Sequence, residues 1–298
     1  MKRKKTEISN GAKGSVKQKK RHSIPSVIFI ALILTFVGSI FGGVLSAIVQ
    51  VSILDLSEAV SFVMNTYFPF IGLVILLLGY CFIKEKEIFK SMGSAGKGGL
   101  QGNTFKMLVF GLVLGFASNG ACILVAWLNK DLSFFLQDIS PTYFVFAFVC
   151  VLIQSGAEEL LSRGYMQGAL MERYGIKTAI LVNGLFFGLM HIPNDGMTVL
   201  AIMNVTLYGV VMSMVTYHFR SLWFCVAHHT AWNFTQNFIF GLPNSGFAAE
   251  ESLLELTGSR QSILYDVQFG VEGGVVVCIF GLITTTVLIM RSKKNIER

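Results

Sequence analysis

From Val27 to Ile53 the chain runs without a single charged residue. A helix needs roughly 20 apolar residues to cross the hydrocarbon core of a bilayer, and this run exceeds that. Runs of similar character recur along the sequence. In lipid every backbone polar group has to be satisfied internally, so a spanning segment is a helix or part of a closed barrel. A barrel would show short segments of alternating polarity. Here the apolar runs are long and unbroken, and helices are the reading that fits.

Only 14% of the residues are charged, mean hydropathy is +0.63, and there are 30 glycines and 26 phenylalanines. A soluble domain carries about 25% charged residues, so an ordinary soluble enzyme and a disordered chain are both excluded. The expected fold is all-α: a polytopic membrane helix bundle. About eight transmembrane helices are expected, near 25–53, 61–83, 105–128, 142–172, 176–191, 198–218, 222–240 and 270–290. Small residues four apart at Gly38/Gly42, Gly111/Gly115 and Gly184/Gly188 suit close helix packing. Cys81, Cys122, Cys150, Cys225 and Cys278 all fall inside apolar runs with no CxxC pair. They read as small buried hydrophobes, not as disulfides or zinc ligands.

Charge fixes the expected orientation. Residues 1–21 hold nine Lys/Arg against one acid, Glu7. This polar basic tail, residues 1–23, reads as cytoplasmic and as attracted to anionic lipid, with no nucleic-acid role. The run after it is too long for a signal-peptide core and no small-residue cleavage site follows, so it reads as a retained first span. With the tail inside, the inner segments hold every Lys/Arg except Lys130 and Arg260. An odd number of spans would break that alternation, so both termini are expected to be cytoplasmic. The remainder, 24–298, is expected to be one transmembrane domain in the cell membrane.

Ionisable groups at membrane depth cost at least about 2.5–3.5 kcal/mol on insertion scales and are functional candidates by default. Three clusters stand out. Glu158-Glu159-Leu160-Leu161-Ser162-Arg163 closes the fourth segment. Glu159 and Arg163 are four apart with the acid first, the favourable order for a helical pair. Glu158 points about 100° away and is left unexplained by that pair. Phe187-Gly188-Leu189-Met190-His191 closes the fifth segment, and Pro193 should end the helix. In His228-His229-Thr230-Ala231-Trp232-Asn233, His229 and Asn233 share a face and His228 is turned away. Taken singly, each histidine is as ordinary as a satisfied core residue, and each asparagine as an interhelical hydrogen bond.

Depth suggests that the clusters meet. The fourth and fifth segments form a hairpin at Gly175. At about 1.5 Å per residue, Glu158 and His191 both lie roughly 25 Å from that turn. A carboxylate beside an imidazole can hold a water and remove its proton as it attacks a carbonyl. An imidazole N–H and an Asn amide can donate to the developing oxyanion. Together these groups suit peptide hydrolysis without a Ser or Cys nucleophile.

The three motifs, in this order on membrane helices, resemble the CAAX protease and bacteriocin-processing (CPBP, or Abi) family of intramembrane endopeptidases, which includes the type II CAAX prenyl endopeptidases. The pattern EExxxR, FxxxH, HxxxN is met by Glu158-Glu159-xxx-Arg163, Phe187-xxx-His191 and His229-xxx-Asn233, within a core of about 140–240. The resemblance implies that Glu158 and His191 activate water and that His229 and Asn233 hold the oxyanion. Glu159, Arg163 and Phe187 support the site. Two versions stay open. We favour a metal-free one, because no HExxH is present and no other residue doubles as base if Glu158 is a ligand. The other puts a divalent metal such as zinc on Glu158, His191 and His229. The expected partner is a membrane-associated peptide or protein substrate. A basic inner face and a cavity opening towards the cytosol would suit a substrate presented from there. Segment 241–269 reads equally as a lid or partner surface and as a plain connector. The alternative function is a non-proteolytic membrane scaffold or bacteriocin-immunity protein of the same fold. A proton-coupled transporter lacks the repeat symmetry and broken helices it would need.

Overall fold

The computed structural model describes residues 22–53, 55–93 and 104–296. The basic tail lies almost wholly outside the described residues, so its expected location and lipid contact do too. The chain is an all-α bundle with one small sheet. The helices are α1 (Ile24–Ser52), α2 (Glu58–Tyr67), α3 (Pro69–Lys84), α4 (Lys86–Gly93), α5 (Thr104–Leu128), α6 (Pro141–Glu159), α7 (Gln167–Tyr174), α8 (Ile176–Met190), α9 (Val199–Phe219), α10 (Leu222–Phe234) and α11 (Val275–Ile296). Strands β1 (Leu132–Leu136) and β2 (Leu254–Ser259) pair antiparallel. Segment 241–269 is therefore more than a plain connector.

The helix ends follow local chemistry. Ser23 accepts from Ser26 N at the start of α1, with Pro25 in its first turn. Ser57 caps α2 and Thr198 caps α9 in the same way. Proline starts α3 and α6, where its missing N–H costs nothing. That proline also divides the expected second segment into α2 and α3. The expected last segment starts at Val275, later than 270, because Gly270, Gly273 and Gly274 form an irregular turn.

Among the described residues, five helices are long and apolar enough to cross a membrane: Ile24–Ser52, Glu58–Lys84, Thr104–Leu128, Pro141–Tyr174 and Val199–Phe219. Of the other three expected spans, α8 and the Val275–Arg291 part of α11 are shorter apolar helices, and α10 continues into the π-helical turn Thr235–Ile239. A second π-helical turn, Leu160–Met166, joins α6 to α7 and widens the long helix just after Glu158 and Glu159. Such turns often sit at functional sites.

Each glycine pair lies at a crossing. Gly38 and Gly42 meet the backbone of α3 and its start, Gly111 and Gly115 meet α10, and Gly184 and Gly188 meet Val210 and Thr206 of α9. A Cβ at any of these six positions would collide, so the small side chains set the helix spacing. All five cysteines are free; four are buried and Cys278 is half-buried.

The bundle has two distinct ends. At one end β1 and β2 pair, Asn194 bonds Ser245, and Gln50 bonds Asn65. At the other, His22 reaches Glu85 and Glu172, and Met107 packs with Phe224 and Leu288.

Candidate active site

Glu158, His191, His229 and Asn233 line one cavity of about 600 Å³, within the 300–1,000 Å³ usual for ligand sites. They come from α6, the end of α8, and α10. Glu158 leans into this space because it is one residue out of step with Glu159. Its Oε1 accepts from Gln154 Nε2 at 2.5 Å, one helical turn earlier. Its Oε2 is buried and has no hydrogen-bond partner among the described residues. A bare carboxylate oxygen inside a cavity is a standing acceptor for water or substrate.

Glu159 faces the other way, into the protein. Its Oε1 takes Arg163 Nη1 at 3.0 Å and His229 Nδ1 at 3.1 Å, with both the Glu159 and Arg163 side chains fully buried. Arg163 Nη2 also donates to Gly209 O at 3.2 Å. His229 thus bridges neighbouring carboxylates, because its Nε2 stands 4.0 Å from Glu158 Oε2.

Phe187 explains its own motif. Its carbonyl lies 2.8 Å from His191 Nδ1, four residues on. A carbonyl only accepts, so Nδ1 carries the hydrogen and the neutral ring keeps its lone pair on Nε2. The Phe187 ring lies under the Arg163 guanidinium, 4.4 Å from its centroid, a cation–π contact. It also packs beside His191 and His229.

Asn233 belongs to a directed chain of amides. Asn244 Nδ2 donates to Asn233 Oδ1 at 3.3 Å, Asn233 Nδ2 donates to Gln154 Oε1 at 3.1 Å, and Gln154 donates on to Glu158. Ser155 Oγ also donates to Gln154 Oε1. With its oxygen so occupied, the Gln154 amide has to present N–H to the carboxylate. One Asn233 N–H remains for a ligand.

Glu272 anchors the far end of this chain. It accepts from Trp232 Nε1 at 2.8 Å, from Asn244 Nδ2 at 3.3 Å, and from Ser245 N and Oγ at 2.8 and 2.5 Å. The turn at 244–245 is thereby tied to α10. Sequence reasoning missed Gln154, Asn244 and Glu272. Gln154 carried a usable signal, lying four residues before Glu158 on the same helix. Glu272 carried none, because its partners are 27 to 40 residues away.

His191 makes no hydrogen-bond or ion-pair contact with Glu158; the imidazole nearest that carboxylate is His229. The expected Glu158–His191 pair would therefore act through a shared water. His228 lies outside the set, near Ser118 and stacked on Trp232. Among the described residues no three His, Cys, Asp or Glu side chains are placed to hold a metal ion. The same cavity is lined by Asn65, Asn194, Asn244 and Ser245, which belong to the end of the bundle opposite His22.

Residues 140–235 match the family described as type II CAAX prenyl endopeptidase Rce1-like. That segment, about a third of the chain, carries the similarity to this family. The match runs from the start of α6 to the end of α10 and contains all three motifs. An Rce1-like core implies a CAAX protease-type hydrolase in a multi-pass membrane protein. No curated protein matches the chain.

Proposed function

We propose that this Rce1-like protein is an endopeptidase that hydrolyses a peptide bond inside the 600 Å³ cavity by a Glu158-activated water, without a metal. The observation that carries the reading is the unpartnered Glu158 Oε2, facing a space that also receives His191, His229 and Asn233.

Water between Glu158 Oε2 and His191 Nε2 gives its proton to the carboxylate as its oxygen bonds the peptide carbon. The carbonyl π pair moves onto oxygen. His229 Nε2–H and the free Asn233 N–H receive that oxyanion. Protonated Glu158 then delivers its proton to the amide nitrogen as the C–N bond breaks, leaving an acid and an amine. Glu159 and Arg163 hold His229 in its ring orientation, as the third member does in hydrolase triads. Gln154 positions Glu158 and Asn233 relative to each other. The substrate is a membrane-associated peptide or protein, and the enzyme resides in the cell membrane.

The test compares membrane peptides from cells carrying wild type or Glu158→Gln by mass spectrometry, with insertion of both proteins checked. Peptide fragments that vanish in the variant support the proposal; identical inventories overturn it in favour of a scaffold.

A further inference from the structure

We propose that the catalytic cavity takes its peptide from the non-cytoplasmic side of the membrane. This rests on the endopeptidase reading above and adds the direction of access.

The lining is the first observation. Asn65, Asn194, Asn244, Ser245 and Phe247 line the cavity, and Phe247 is 51% exposed, so the lining reaches the surface there. Asn65 bonds the end of α1 through Gln50, and Asn194 bonds Ser245. These residues share the end of the bundle that carries β1 and β2.

Helix length is the second. α8 has 15 residues, about 22 Å at 1.5 Å per residue, against a hydrocarbon core of about 30 Å. It starts at Gly175 on the opposite end, so its far end stops below the membrane surface. The connection at 191–198 then starts below that surface, which leaves a peptide a way in beside Asn194.

The floor is the third. A separate cavity of about 300 Å³ opens at the other end and reaches Arg163, Gln167 and Arg220. The Arg163 guanidinium stacked on Phe187 stands between it and the catalytic cavity. Buried and bonded to Glu159 and Gly209, Arg163 closes the cytoplasmic route.

Charge then assigns the sides. Among the described residues, only Lys130 and Arg260 of the Lys/Arg belong to connections at the β1–β2 end. Basic connections stay cytoplasmic, so the mouth faces out. No Lys or Arg lines the cavity. Its amides and phenylalanines suit a neutral, partly apolar stretch of an exported or outer-leaflet peptide, in contrast to an acidic or cytosolic tail.

The experiment uses the full chain with Phe247→Cys or Asn65→Cys at the mouth and Glu172→Cys at the other end, and wild type as the blank for its five native cysteines. Intact cells are treated with a membrane-impermeant maleimide. Labelling of the mouth cysteines several-fold above the blank, with Glu172→Cys labelled only after permeabilisation, is expected. The reverse pattern overturns the inference. If one mouth variant fails to accumulate, the other decides. Peptide cleavage is measured separately in detergent, where the protein has no sides. Its absence there counts against the endopeptidase reading and leaves the labelling result to judge the direction of access.

Discussion

Gln154 Nε2 lies 2.5 Å from Glu158 Oε1, one helical turn away, so the outer oxygen of the Glu158 carboxylate is aimed by an amide that itself receives Asn233. The proposed base and the proposed oxyanion donor are thus held in one frame. Misplacing a reacting group by about 1 Å can cost about 100-fold in rate. Gln154→Leu is therefore expected to lower kcat by about 10- to 100-fold while KM changes little. Gln154→Glu removes the donor and should not rescue. Steady-state kinetics in detergent checks this, and an equal loss shared between kcat and KM would speak for a substrate-binding role instead.

Arg163 is the charge that keeps Glu159 tolerable inside the bundle. Removing one partner of a buried pair costs about 3–5 kcal/mol. Arg163→Ala is expected to lower the Tm in detergent sharply. Arg163→Lys keeps the charge but loses the planar stack on Phe187, and should fall between the two. Exchanging Glu159 and Arg163 together for Gln and Met should restore much of the Tm but not cleavage, since His229 then loses its orienting carboxylate.

Asp131 ties β1 to the segment before α11. It accepts from Asn129, Ser262 and Arg260, the last through both Nε and Nη2. Burial pushes its carboxyl up, but these hydrogen bonds and the Arg260 charge outweigh that and hold it below its ordinary value of 3.8. A carboxylate depressed by folding stabilises the protein above its unfolded pKa and stops doing so as pH falls through its folded one. Stability is thus expected to drop below about pH 4, with Asp131→Asn abolishing that part of the dependence. Thermal scans between acid and neutral pH measure it; an unchanged slope in the variant would contradict the assignment.

Metal removal is a further test. The metal-free mechanism expects cleavage to survive dialysis against EDTA or 1,10-phenanthroline with full rate. Loss of activity that zinc restores would move Glu158, His191 and His229 to ligand roles.

The parts of this molecule legible in the sequence were those written at short range. Long uncharged runs marked the helices, since burying backbone in lipid leaves few alternatives. Glu159–Arg163 and His229–Asn233 were legible because residues four apart share a helix face. The hairpin at Gly175 even set Glu158 and His191 at matching depth, and both do line one cavity. Features built from distant partners were not legible. β1 and β2 lie more than 100 residues apart, and the π-helical turn at Leu160–Met166 has no period of its own in the sequence. The Phe187 motif concealed its function, because its key atom is a backbone carbonyl.

The central claim, that Glu158 is the base of a peptide hydrolase, is tested most directly with purified protein and a peptide identified from the cell comparison. Wild type, Glu158→Gln and Glu158→Asp are assayed at matched fold stability. A loss of about 100- to 10,000-fold in kcat for Glu158→Gln is expected, with an unshifted Tm and a small residual rate in Glu158→Asp. Wild-type turnover by Glu158→Gln would contradict the account.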